Sequence, residues 1–394
     1  MKKLIRGLTT QNSIDFVELI GIFFFWAAFL FEVVYLIFRK SDFFLPQEAY
    51  WLAGLIGCYL IKIICTRYSK GEWIAIAVAM VIGTAAYLTA HNMDYLQALL
   101  FVAASKGIKR DTALRLVGMS LYCMTALLVV RCLIGVQGKL FDSGDFGRGI
   151  EEIRYRFGFS HANQLHYAVF CMMAIYLVVK RGSLTWQHYF LLLVTNTAVL
   201  YLTRSRTGAL ICYLIIIGNM MIQYWRRLHE YSWIYLLGYI ALAGVVGIAL
   251  LGRFVDTGRY SLLTKLDDVL TGRMNLAYST SPRPLELFSN RSGGTTDMGL
   301  VMQANSQGIA MTILFIVAIV GLIHELSRER EGYEYVLLMA TLLYVLTENQ
   351  QAMLGWASQS FVILLLIDRW YRLFGIRGEG KKAHLWQMGK VVSG

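Results

Sequence analysis

The chain has 394 residues, 57% of them hydrophobic and only 16% charged, with a mean hydropathy of +0.53. Water alone cannot keep such a chain soluble, so an ordinary soluble enzyme is excluded and an integral membrane protein without a separate soluble domain is expected. The formal net charge of +12 falls mostly in connections between apolar runs, and no nucleic-acid partner is implied.

The opening MKKLIRG resembles the start of a signal peptide. The apolar run 14–38 behind it is too long and lacks a small-residue cleavage pattern, so it reads as an uncleaved first span. Taking about 20 apolar residues per crossing, somewhat fewer with aromatic or basic anchors, about twelve spans are predicted. They are 14–38, 51–66, 73–90, 94–105, 113–136, 163–179, 187–203, 207–224, 232–252, 300–324, 333–347 and 352–370. The fourth is the shortest, and losing it would invert everything after it.

Pro46, Pro282 and Pro284 fall in connections, and the cysteines lie inside apolar runs as packing residues. With the amino terminus inside, the connections TRYSKGE, KGIKRD, KRGS, WRRLHE and SREREG are all basic and cytoplasmic, as are both termini. Two longer loops, 137–162 and 253–299, are then external, the larger between spans nine and ten. The predicted fold class is all-α: one polytopic membrane domain, 1–376, followed by a basic tail, 377–394. That tail rests on the anionic inner leaflet and is a candidate contact for assembly partners such as a flippase or a chain-length regulator.

Three external clusters carry chemistry. Before span six, EIRYRFGFSHANQLHY crowds Arg154, Arg156, His161, Asn163 and His166 together, with Tyr155, Phe157 and Phe159 interleaved. The aromatics suit an interfacial belt or a sugar-stacking platform, the belt being commoner. As an imidazole, His161 suits proton acceptance, and a plain helix-capping or interfacial role is an equal alternative.

Between spans seven and eight, YLTRSRTGAL puts Arg204 and Arg206 outside, against the positive-inside trend. Two guanidinium groups beside a helix N-terminus make an anion site, the competing reading being that they snorkel to lipid headgroups. Gly208 leaves room for another backbone or a bulky ligand.

In the large loop, Leu262 to Tyr278 has apolar residues at helical spacing and suits a helix lying flat on the outer surface. Arg273, Arg291 and Asp297 follow where the loop can fold over the site, and Asp267 and Asp268 are assigned to a solvated surface. LTENQQ sets Glu348 at the outer end of span eleven. No Asp-x-Asp box is present, so neither metal, cofactor nor sugar nucleotide is implied.

Four of these stretches, GFSHANQLHY, LTRSRTGAL, LTGRMNLAY and TTDMGLVMQANSQGIAMTILF, resemble in order and spacing the Wzy-type polysaccharide polymerases of the O-antigen ligase and polymerase superfamily. The resemblance runs from about residue 150 to 350. The chain departs from it at Ala162, where many relatives carry proline, and in a large loop without histidine, which favours polymerase over ligase.

The resemblance implies a GT-C-like fold in a bacterial cytoplasmic membrane, with its site on the external face. The implied reaction joins polyprenyl-pyrophosphate-linked repeat units: an acceptor sugar hydroxyl attacks the donor's anomeric carbon and lipid pyrophosphate leaves. In that scheme Arg206, supported by Arg204, holds pyrophosphate, with Arg273 and Arg156 closing around one shared cavity. Arg154, Asn163 and Arg291 contact substrate, and His161 is the leading base with Asp297 and Glu348 in reserve. A lipid-linked oligosaccharide flippase, whose charges should line a central path, and a ligase with another acceptor are the alternatives.

Overall fold

The computed structural model describes Thr9 and residues 15–39, 48–136, 138–145, 151–225, 227–281, 284–290, 296–349 and 359–373. Arg291 and the basic tail lie outside the described residues.

Apolar runs fold as helices because hydrocarbon offers their backbone groups no partner except one another. In chain order these are α1 (Phe16–Arg39), α2 (Glu48–Ile64), α3 (Lys70–Ala90), α4 (Asp94–Ala104), α5 (Arg110–Leu133), α6 (Ala162–Val179), α7 (Trp186–Thr203), α8 (Arg206–Tyr224) and α9 (Ser232–Phe254). After them come α10 (Ser261–Val269), α11 (Arg273–Thr280), α12 (Gly299–Ser306), α13 (Ile309–Glu329), α14 (Gly332–Thr347), α15 (Phe361–Leu366) and α16 (Trp370–Leu373).

Among the described residues, seven helices are long and apolar enough to cross a membrane: α1, α3, α5, α6, α8, α9 and α13. The architecture is compatible with an all-α membrane protein. Exposed Phe23, Val81, Leu191 and Leu237 form part of its apolar outer girth. The most buried of the seven is α6, packed against α5, α7, α8 and α14. Its first turn, the end of α7, the start of α8 and the end of α14 meet on one side, here termed the pocket face.

Five predicted elements differ from expectation, one of them the twelfth run, 352–370, whose described part holds only α15, of six residues, and the start of α16. The short fourth run is α4, whose 11 residues rise only about 16 Å. It is not lipid-exposed along its length, for Tyr95, Leu100, Phe101 and Ala104 are buried among its neighbours.

The tenth run is two helices, α12 and α13, broken at Gly308 with φ +93°. There Ile309 N–H donates to Glu286 O (3.0 Å) and Ala310 N–H to Leu287 O (3.1 Å), replacing bonds that an unbroken helix would make. A Cβ on Gly308 would lie 2.5 Å from Leu287 O. Gly308→Ala is expected to cost more than about 1 kcal/mol, because alanine suits neither the positive φ nor the space. Thermal unfolding in detergent checks this against Gly54→Ala, where nothing lies within 4 Å.

The amphipathic stretch Leu262–Tyr278 is also two helices, α10 and α11, separated by left-handed Thr271 and Gly272. Leu262 and Val269 on α10 stand exposed, as an interfacial helix requires. Finally, the loop 137–162 contains an antiparallel hairpin, β1 (Phe141–Asp145) and β2 (Glu151–Tyr155), with Asp142 opposite Arg154 and Phe141 opposite Tyr155. Its five-residue strands carry too little alternation of polarity to stand out in a chain dominated by apolar helices.

On the side opposite the pocket face an ionic network joins several helix ends. Glu334, fully buried, meets Arg369 (2.5 Å), Arg110 (2.7 Å) and Arg181 (3.1 Å). Arg369, also fully buried, meets Glu329 (2.5 Å), which in turn pairs with Arg372 (2.6 Å).

Candidate functional site

The pocket face holds a cavity of about 320 Å³ lined by Asp142, Arg154, His161, Ala162, Asn163, Gln164, Asp297, Glu348 and Asn349. Its residues come from four segments remote in sequence: the hairpin, the first turn of α6, the segment before α12, and the end of α14. Three local structures set them in place.

The first is the start of α6. His161 occupies the N-cap position with extended backbone, yet its side chain makes no capping bond and opens into the cavity. Asn163 follows and donates from Nδ2 to Glu348 Oε1 at 3.4 Å.

The second is the end of α14, where Glu348 leaves the helix as a buried residue, 9% exposed. Arg273 Nη2 donates to Glu348 Oε1 at 3.3 Å. Burial raises this carboxyl to about 7; Arg273 opposes the rise and the negative charge of Asp297 adds to it.

The third is the turn between α10 and α11. Asp267 is buried and its Oδ1 accepts from Met274 N–H (2.7 Å) and Asn275 N–H (3.4 Å), capping the helix whose first residue is Arg273. Arg273 then donates to Thr271 Oγ1 (2.8 Å) as well as to Glu348, and its Nε stands 3.7 Å from Asp297 Oδ2. Asp267 is therefore a positioning residue, not the solvated surface charge expected. Asp267→Ala is expected to cost about 1 kcal/mol, typical of a lost N-cap, and to loosen Arg273 from Glu348. Thermal unfolding, with Asp268→Ala as control, measures it.

The structure thus brings together His161, Arg154, Asn163, Asp297, Glu348 and Arg273, and Arg156 joins them through Asp142 (3.4 Å). It does not bring in Arg204 or Arg206. Thr203 and Ser205 are buried beneath the α7–α8 turn, so the alternate residues Arg204 and Arg206 project outward, exposed, Arg204 lying over the Tyr201 ring at 4.7 Å.

Gly208 has a different use from the one expected. The His166 ring fills the space, 3.0 Å from where a Cβ would sit. His166 is fully buried, with Nδ1 3.0 Å from Thr203 Oγ1 and Nε2 3.1 Å from Asn196 Oδ1, so it fastens the turn to α6 and stays out of the cavity.

The charge pattern also differs from a cluster of cations. Arg154 pairs with Glu152 (3.1 Å), Arg156 with Asp142, and Arg273 with Glu348 and Asp297. Buried guanidinium groups require such partners, so the cavity is mixed in charge and rich in amides. Asp142, Gln164 and Asn349 were not foreseen as lining residues. The Asp142–Arg154 pairing depends on the hairpin register, and Asn349 is held by donating to Thr296 O at 3.3 Å.

Such a lining offers hydrogen-bond donors and acceptors in several directions, one buried carboxyl poised near neutrality, and a guanidinium that holds it. It suits binding a polyhydroxylated molecule and removing a proton from it. Among the described residues no group of three or more metal-ligating side chains is gathered. Compared with protein-family models, curated proteins and solved structures, the chain matches none.

Proposed function

We propose that this protein is a membrane glycosyltransferase that polymerises oligosaccharide repeat units carried on a polyprenyl diphosphate, with the pocket face on the external side of a bacterial cytoplasmic membrane. The observation that carries this reading is Glu348, a buried carboxyl raised toward neutrality and held between Arg273 and Asn163 in a polar cavity at one membrane face.

The acceptor sugar binds among the amides and carboxylates, and Glu348 replaces His161 as the leading base. Its carboxylate takes the proton of the acceptor hydroxyl as that oxygen bonds to the donor's anomeric carbon and the bond to diphosphate breaks. His161, exposed at the cavity wall, remains a substrate contact. Arg204 and Arg206 receive the departing diphosphate from outside the cavity, at the start of α8, where the helix dipole adds to their charge. The division is physical: the sugar is neutral and polyhydroxylated, whereas the diphosphate stays with its lipid at headgroup depth.

About twelve crossings, with the short α4 sheltered inside, and a GT-C-like arrangement belong to this reading, and a site at one face agrees with them. A flippase needs charge at several depths along a path through the protein. The described ionic network instead ties helix ends together opposite the cavity, which favours a one-sided enzyme.

The test supplies proteoliposomes of the purified full chain with a lipid-diphosphate-linked repeat unit. A ladder of longer lipid-linked glycans with stoichiometric release of lipid diphosphate is expected. Transbilayer movement of the substrate with no new glycosidic bond would overturn the proposal in favour of a carrier.

A further inference from the structure

The hairpin β1–β2 has two faces of different character. Strand alternation turns Asp142 and Arg154 to the cavity, and it turns Phe141 and Ile153, 45% and 54% exposed, the other way. Phe141 meets the Tyr155 ring edge-on at 6.0 Å, so the aromatic pair does not form a platform inside the cavity.

The outward apolar face continues the apolar girth on both sides. On one side Leu133 at the end of α5, with Ile134 and Val136 just after it, stands exposed before β1. On the other, β2 packs against α7, whose last turn exposes Tyr201. Polarity along the hairpin is graded as well: Phe141 stands at the base with exposed Lys139 near it and Ile153 at mid-strand opposite Ser143, whereas Asp145 and Glu151 at the far end of the strands are exposed acids. Aromatic and aliphatic side chains with a lysine suit the headgroup layer, and acids that an anionic surface repels suit the water beyond it.

We propose that this hairpin docks from its base to mid-strand into the headgroup layer of the bilayer on the pocket face, with the far end of its strands in water. One ribbon then touches lipid with one face and the cavity with the other, setting the cavity wall at the depth of the membrane surface. This holds whatever reaction the cavity performs.

Spin labels test the proposal on the full chain in vesicles of phosphatidylglycerol and phosphatidylethanolamine, with the native cysteines replaced. Ile153→Cys and Phe141→Cys are labelled at sites already exposed, and Glu151→Cys serves as the reference. The expected result is a positive depth parameter at positions 141 and 153, from collision with membrane-dissolved oxygen above that with a water-soluble nickel chelate, and a negative one at 151. Access at 153 as open to nickel as at 151 overturns the docking. Protection of 141 and 153 from both reagents overturns it too, and identifies a second copy of the chain as the covering surface. Unchanged thermal unfolding of each labelled variant confirms that the fold is retained.

Discussion

Glu348→Gln is expected to lower turnover in the proposed reaction by roughly 10²–10⁴-fold, the usual contribution of a positioned general base. Glutamine keeps the shape and can still accept from Asn163 and Arg273, so thermal stability should move far less than turnover. The pH profile gives an independent check. A base must be ionised to act, and burial lifts this carboxyl to about 7, so the rate should climb as pH rises through that value and level off above it. His161→Gln should leave the position of this limb in place. A limb that stayed put in Glu348→Gln with turnover intact would remove Glu348 from the chemistry.

The largest loss of stability is expected from Glu334→Gln. The carboxylate is fully buried and meets Arg369, Arg110 and Arg181, of which Arg369 is itself fully buried. Removing its charge leaves three guanidinium groups near each other, with Glu329 to compensate Arg369 and Asp111 and Glu331 to compensate Arg181, a loss of about 3–5 kcal/mol. A fall of many degrees in the unfolding temperature in detergent is the expected reading. Asp15→Asn, which breaks the exposed pair with Arg67, should shift it far less, because exposed pairs contribute about 0–1 kcal/mol. Glu334 lies across the protein from the cavity, so any of the variant that remains folded should keep the pH profile of the parent.

Helix positions were largely legible in the sequence, because a long apolar run in lipid has one way to satisfy its backbone. The bounds of α6, α7 and α8 fall within a residue of the runs 163–179, 187–203 and 207–224. Breaks were not legible. Gly308 looks like any glycine in an apolar run until the 284–290 loop lies against it, and Thr271 looks helical until Asp267 turns back to cap α11.

The site was legible in part. His161, Asn163, Arg273, Asp297 and Glu348 stand at helix ends, and helix ends on one membrane face come together regardless of distance along the chain. The directions of side chains in a tight turn are different: Arg204 and Arg206 reach outward because Thr203 and Ser205 bond or pack inward, and that follows from His166 on another helix. Ranking the bases also needed coordinates, since Glu348 is distinguished by its burial and by Arg273, neither of which a motif records.

The first five helices contribute nothing to the cavity lining, yet they hold its far wall. Asn92 donates to Ser289 O, and the Tyr95 hydroxyl donates to Gln307 O while accepting from Met311 N–H, beside the α12–α13 break. The amino-terminal third is thus a buttress, bearing through His91, Asn92, Asp94 and Tyr95 on the residues that flank α12, the helix that follows Asp297, and through α5 on α6. A carboxy-terminal fragment that kept every cavity residue would still leave that wall without support, so separating binding residues from scaffold by cutting the chain in two would dismantle the site.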